Sequence, residues 1–216
     1  MVKLTKSSDD DEIVTVFLEE NVIDKLLGIV SSHDDGAILK PVYSLLALLT
    51  CVSAAVVSKI MVPDFLWKSL SKISLADDAL ALSVLNMLYN SAITGDDYCA
   101  FEVGCDVTAH LLRYLHACQP STVVRNEKSC CGKLELTESR KQTIETCLLL
   151  LTALIKESFP EALKEEVVAA CVPYFVSRDR EIQLLALKYA RHFVPTSKME
   201  TFLQFSLPNN QMDASD

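Results

Sequence analysis

The sequence predicts an all-α fold built by stacking repeated helical units, and three observations predict it. Gly (5) and Pro (7) are scarce in 216 residues, which excludes sandwiches, barrels and glycine-rich nucleotide folds, all of which need frequent special backbone angles. Hydrophobic residues make up 50% of the chain and leucine about 15%, far too much for disorder over most of the length. A helical period of apolar residues recurs almost everywhere, and pieces of it repeat at a spacing of about forty. A chain of this size buries roughly 70% of its unfolded surface, enough for one domain or one continuous stack without staples.

The elements follow in order. Asp10 or Asp11 caps a helix whose apolar face holds Ile13, Val16 and Phe17, and a second helix carries Val22, Ile23, Leu26, Leu27 and Val30. The polar turn Ser31–Gly36 ends it. A third helix begins near Ala37, takes Pro41 in its first turns and runs to about Cys51; a short one spans Ala54–Met61. Pro41–Ser58 holds no charge over eighteen residues, the lower limit for a membrane span, but Ser53 falls where a helix-to-helix turn is expected, so a buried helix pair is predicted there. Pro63 at a first turn opens Asp64–Ile73, Asp77-Asp78 opens Ala79–Ser91, and Thr94–Asp97 breaks it. Thr108–Ala117 follows. Periodicity fails over Gln119–Thr137, which reads as an exposed insertion; helices resume at Glu138–Ser158, Glu161–Val176, Arg178–Phe193 and, weakly, Ser197–Phe205.

Repetition is the most informative pattern. Ile60–Leu70 matches Glu20–Val30 at an offset of forty, with Val22/Val62, Asp24/Asp64 and Leu26/Leu66 equivalent. Cys105–Leu112 is a third copy, and Val172–Val176 echoes Val62–Leu66. Between copies comes an acidic turn and a longer apolar helix. This unit resembles an armadillo or HEAT repeat, and Ser83-Val84-Leu85-Asn86-Met87-Leu88 is similar to the leucine-asparagine core of the armadillo third helix, although Leu82 stands where that pattern has tryptophan. The resemblance implies a right-handed α-solenoid of about four degenerate repeats over 12–206, with 119–137 as a loop insertion, 1–11 as a disordered N-terminus and 207–216 as a disordered tail. Stacking supplies the core that no single unit can bury.

The resemblance also implies a function: a non-enzymatic adaptor that clamps a partner segment with asparagines along a concave face. Asn86 and Asn90, one helical turn apart, are the positions it nominates. Lys188 and Arg191, with His192, cluster near the end of the last long helix, where cations meet the negative end of the helix dipole, and they are a second candidate partner surface. Trp67, the only tryptophan, is expected to pack between repeats. The weak Ser197–Phe205 helix looks under-capped, so the C-terminal end is expected to dock on a partner or on another copy.

Charge and chemistry narrow the rest. A net charge of -9 is the wrong sign for nucleic acid as main partner and favours a protein partner of basic character. The opening residues, Lys3, Lys6 and an acidic run, lack the apolar core of a secretory signal, so the eight cysteines are expected as reduced thiols in a cytoplasmic or nuclear protein. No cofactor, metal or catalytic residue is nominated: there is no nucleophile elbow, zincin motif or phosphate loop. Cys99, Cys105, His110, His116, Cys118 and Cys130-Cys131 gather histidines and thiols, but without the spacing zinc needs, and His110 and His116 fall on different sides of one helix. The acidic pairs Asp34-Asp35, Asp77-Asp78 and Asp96-Asp97 are read as helix caps. Two alternatives remain: a structural subunit of a larger complex, and a Cys-dependent enzyme or zinc protein around Cys99–Cys131.

Overall fold

A computed structural model of the chain describes residues 15–95, 107–119, 136–155, 161–175, 177 and 179–194. Among these, all regular structure is helical. A helical turn at 15–19 leads into α1 (Val22–Ser32), α2 (Gly36–Val52), α3 (Ala54–Ile60), α4 (Pro63–Ser71) and α5 (Asp78–Thr94). Then come α6 (Val107–Ala117), α7 (Glu138–Leu154), α8 (Glu161–Phe175) and α9 (Arg180–Ala190). The start of the first expected helix, with its cap at Asp10 or Asp11 and Ile13, lies outside the described residues, as do the Ser197–Phe205 helix, both terminal segments and most of the segment Gln119–Thr137; Val16 and Phe17 fall in the helical turn at 15–19.

The helix starts are chemical. Asp35, Asp77, Thr137 and Asp179 each accept a hydrogen bond from a first-turn N–H of α2, α5, α7 and α9, at 2.8, 2.9, 3.2 and 3.0 Å. Pro63 opens α4, where its missing N–H costs nothing. Ser53 accepts from Val56 N and ends one helix while starting the next, so Pro41–Ser58 is two helices. No helix among the described residues is long and apolar enough to cross a membrane.

The long helices form a row. α2 packs on α5, α5 on α7 and α7 on α9. The other helices flank it: α1 touches α2, α3 and α4, while α6 packs on α7 and α8, and α8 on α9. Three members of the row, α2, α5 and α7, are each 17 residues long. α5 starts at 78, forty-two residues after α2 at 36, and α9 at 180 starts forty-two after α7 at 138. The α5-to-α7 step is longer because the insertion falls inside it.

The repeat at an offset of forty survives where its residues do the same job. Val22 opens α1 and Val62 precedes α4, Asp24 and Asp64 stand in the first turns, and Leu26 and Leu66 are both buried. The echo at Val172-Pro173 does not: Pro63 begins a helix, whereas Pro173 sits in the last turn of α8. Only Pro63 is at a position that a repeat start requires.

Inter-helix polar contacts bind the layers. Tyr43 donates to Ser69 Oγ at 3.1 Å between α2 and α4, and Tyr174 of α8 donates to the Leu115 carbonyl of α6. Gly36 is where α2 and the start of α5 approach most closely: a Cβ there would lie 2.8 Å from Asp77 Oδ2, the oxygen beside the one that caps α5. Asn21, just before α1, has a left-handed backbone (φ 52°), which asparagine tolerates better than most residues.

Candidate functional site: the uncovered face of the long-helix row

Each helix of the row carries a stripe of exposed side chains on the side turned away from its neighbours, spaced by three or four residues on α2 and α9 and by seven on α5. They are Pro41, Ser44 and Leu48 on α2, Asn86 and Ile93 on α5, Gln142 on α7, and Leu184, Leu187 and Lys188 on α9, with Arg191 capping it. Glu145 and Leu149 of α7 share the stripe, half-buried. Neighbouring helices are tied together along this face. Ser44 and Ser83 hydroxyls meet at 3.2 Å, Asn90 Nδ2 donates to the Ala47 carbonyl at 2.7 Å, and Lys188 Nζ stands 3.8 Å from Glu145.

The four candidate positions therefore share one surface but do different things. Asn86 is exposed, and its amide makes no hydrogen bond to a described residue. Asn90 is half-buried, and its N–H binds α2 rather than facing outward, which leaves its side-chain carbonyl. Lys188 lies over the Tyr189 ring at 4.7 Å and donates to its hydroxyl; that bond raises the ammonium above its ordinary range. Arg191 is exposed at the end of α9. Apolar side chains accompany them: Leu48 is 68% exposed, Ile93 58% and Leu184 57%, three large hydrophobic residues with no described cover. Sequence periodicity placed Leu48 and Leu184 on helices without showing which side the neighbours would leave free, and it ended the helix at Ser91, short of Ile93.

Capping explains Asp35, Asp77 and Asp179, but not Asp34 or Asp78. Asp34 pairs with Lys72 of the segment after α4, whose hydrogen bond holds the carboxyl below its usual range. Asp78 accepts from Arg140 Nε, and Arg140 also donates to the Leu75 carbonyl, so one guanidinium stitches the start of α5 to α7. At the next step Lys141 pairs with Asp179 at 2.8 Å and Glu181 at 2.7 Å. Asp96-Asp97 lie outside the described residues.

The described thiols are not arranged for chemistry. Cys118, Cys147 and Cys171 are buried, and burial pushes all three up, Cys171 to about 12. A nucleophilic or metal-binding cysteine needs the opposite shift. The Tyr114 hydroxyl is buried next to Cys118. Among the described residues no group of three or more His, Cys, Asp or Glu side chains could hold a metal ion. Cys99, Cys105, Cys130 and Cys131 lie outside them. The His110 and Trp67 rings meet in a T-shape at 5.2 Å between α6 and α4, with Trp67 itself exposed, and His116 contacts Gln119 at 2.7 Å. Behind the row an open hollow of about 290 Å³ lies between α6 and α8, lined by Leu112, Arg113, His116 and Glu166 among others. It is shallow and mixed in chemistry.

No protein-family model matches the chain, and neither a curated protein nor a solved structure matches it.

Proposed function

We propose that this chain is a non-enzymatic adaptor of the armadillo/HEAT kind, a right-handed solenoid of about four imperfect units. Its uncovered face takes a segment of another protein, in the cytoplasm or nucleus. The observation that carries this reading is the face itself: an unengaged amide at Asn86, set among exposed Leu48, Ile93 and Leu184 on three of the four members of one helical row. An unengaged amide among exposed apolar side chains suits a main chain, whose N–H and C=O groups need partners and whose side chains alternate between surfaces. Protonated, buried thiols support a non-catalytic role for the core.

The test is quantitative affinity purification from cells, comparing the native chain with an Asn86→Ala/Ile93→Asp variant of equal thermal stability. Both substitutions are at exposed positions, so the fold is expected to persist. A partner recovered in near-stoichiometric amount and lost with the variant supports the reading. Equal recovery with both moves the interaction off this face and leaves the chain a structural subunit. No specific partner at all removes the adaptor reading.

A further inference from the structure

We propose that the segment taken by this face is acidic where it crosses α9 and uncharged where it crosses α2 and α5. This rests on the adaptor reading above and gives it a partner chemistry. The argument is local charge. α2 contains one charged residue, Lys40, and α5 one, Asp78; Lys40 points to Asp77 at 4.0 Å and Asp78 to Arg140. The α2–α5 half of the face therefore offers only Ser44, Leu48, Asn86, Asn90, Ile93 and neighbouring apolar groups.

At α9 the face changes character. Arg180, Leu184, Leu187 and Arg191 recur at intervals of four, three and four residues, all exposed, with Lys188 one position beside the stripe. Arg180 and Arg191 have no ion pair with a described residue, and Lys188 has only the 3.8 Å contact with Glu145. Two unpaired guanidiniums bracketing two exposed leucines fit a segment that carries carboxylates around an apolar anchor.

The whole-chain charge of -9 points the other way, toward a basic partner, but much of it lies elsewhere. Glu161, Glu165 and Glu166 are exposed on α8, behind the row, and Asp34 and Asp64 are on the loop and helix at the other layer. With a Debye length of about 8 Å, charges on the far layer are largely screened at the uncovered face. The carboxylates beside α9 are engaged, Glu145 with Lys188 and Asp179 and Glu181 with Lys141, which leaves Arg180 and Arg191 as the exposed excess. Two guanidiniums bracketing leucines suit carboxylates; a nucleic-acid strand would need a longer cationic track.

Geometry sets the spacing. Packed helices lie about 9 Å apart, so Asn86 on α5 and the α9 stripe are two steps, about 18 Å, from each other. An extended chain rises about 3.3 Å per residue, which places the acidic group about six residues from the one held at Asn86.

The experiment is a selection of displayed random 12-residue peptides on the immobilised full chain. Selected peptides are then measured by fluorescence anisotropy against the native chain, Arg180→Glu/Arg191→Glu and Asn86→Ala, each verified by its melting curve. The expected result is enrichment of Asp or Glu about six positions from an apolar or neutral anchor. Affinity should fall at least tenfold on charge reversal at α9, and fall with added salt. Peptides that are basic or uncharged, indifferent to the α9 reversal and weakened by Asn86→Ala, overturn the acidic assignment and leave the adaptor reading standing. Peptides indifferent to both variants, or no enrichment, overturn both.

Discussion

The Asn90 amide shows how one side chain serves packing and recognition at once. Its N–H ties α5 to the Ala47 carbonyl, so Asn90→Ala is expected to cost about 1 kcal/mol of stability, read from urea denaturation, whereas exposed Asn86→Ala should cost close to nothing. Any binding defect of the Asn86 variant is then attributable to the surface. The buried thiols give a second residue-scale prediction. Burial holds Cys118, Cys147 and Cys171 protonated in the fold, while in the unfolded chain a thiol ionises near pH 8.5. Groups raised by folding stabilise fully below that unfolded value and lose the contribution as pH rises toward the folded one. Stability should therefore fall above about pH 8.5, by about 1.4 kcal/mol per pH unit for each of Cys147 and Cys171, whose thiols are raised furthest. Denaturation at pH 8 and pH 10 measures it, and Cys147→Ala should flatten the slope.

At the scale of the element, the joints between long helices are held by charge at their first turns. Arg140 is mostly buried and binds both Asp78 and the Leu75 carbonyl. Arg140→Met leaves the Asp78 carboxylate without its cation and is expected to cost roughly 3 kcal/mol, while adding Asp78→Ala should recover much of the loss because the orphaned charge is removed. A double-mutant cycle on the melting transition checks this; equal and additive losses would show that the pair is not coupled. The Lys141–Asp179 joint is pH-sensitive in the other direction. Lys141 holds the Asp179 carboxyl below its usual range, so this joint is intact above about pH 4 and weakens as pH falls through the lowered value. Acid should loosen α9 from α7 first, visible as early loss of amide protection in α9.

Across the described residues, contacts run mainly between neighbouring helices; on the proposed solenoid reading, stability would be a sum of units and joints. The α8–α9 unit has α6 and α7 on one side and no described neighbour on the other, whereas α7 lies between α5 and α9. Thiol labelling under native conditions should therefore reach Cys171 of α8 before Cys147 of α7, although both are fully buried. Simultaneous labelling of the two would mean that the row opens as one cooperative body.

The sequence by itself determined the helical class and nearly every helix. Apolar spacing, Pro63 and the caps Asp35, Asp77 and Asp179 act over a few residues, and these local interactions need no knowledge of the fold. It also displayed the likeness of the α1 and α4 starts, because the same residues meet the same local demands there. The tertiary structure alone decided which helices are neighbours, and hence that Asp34 and Asp78 hold joints instead of caps, that Asn90 faces α2 while Asn86 faces out, and that Pro173 is no repeat start. It decided the charge of the uncovered face as well. Net charge is a sum over the chain, whereas a docking segment meets only the few side chains within about a Debye length, and which ones those are is set by packing.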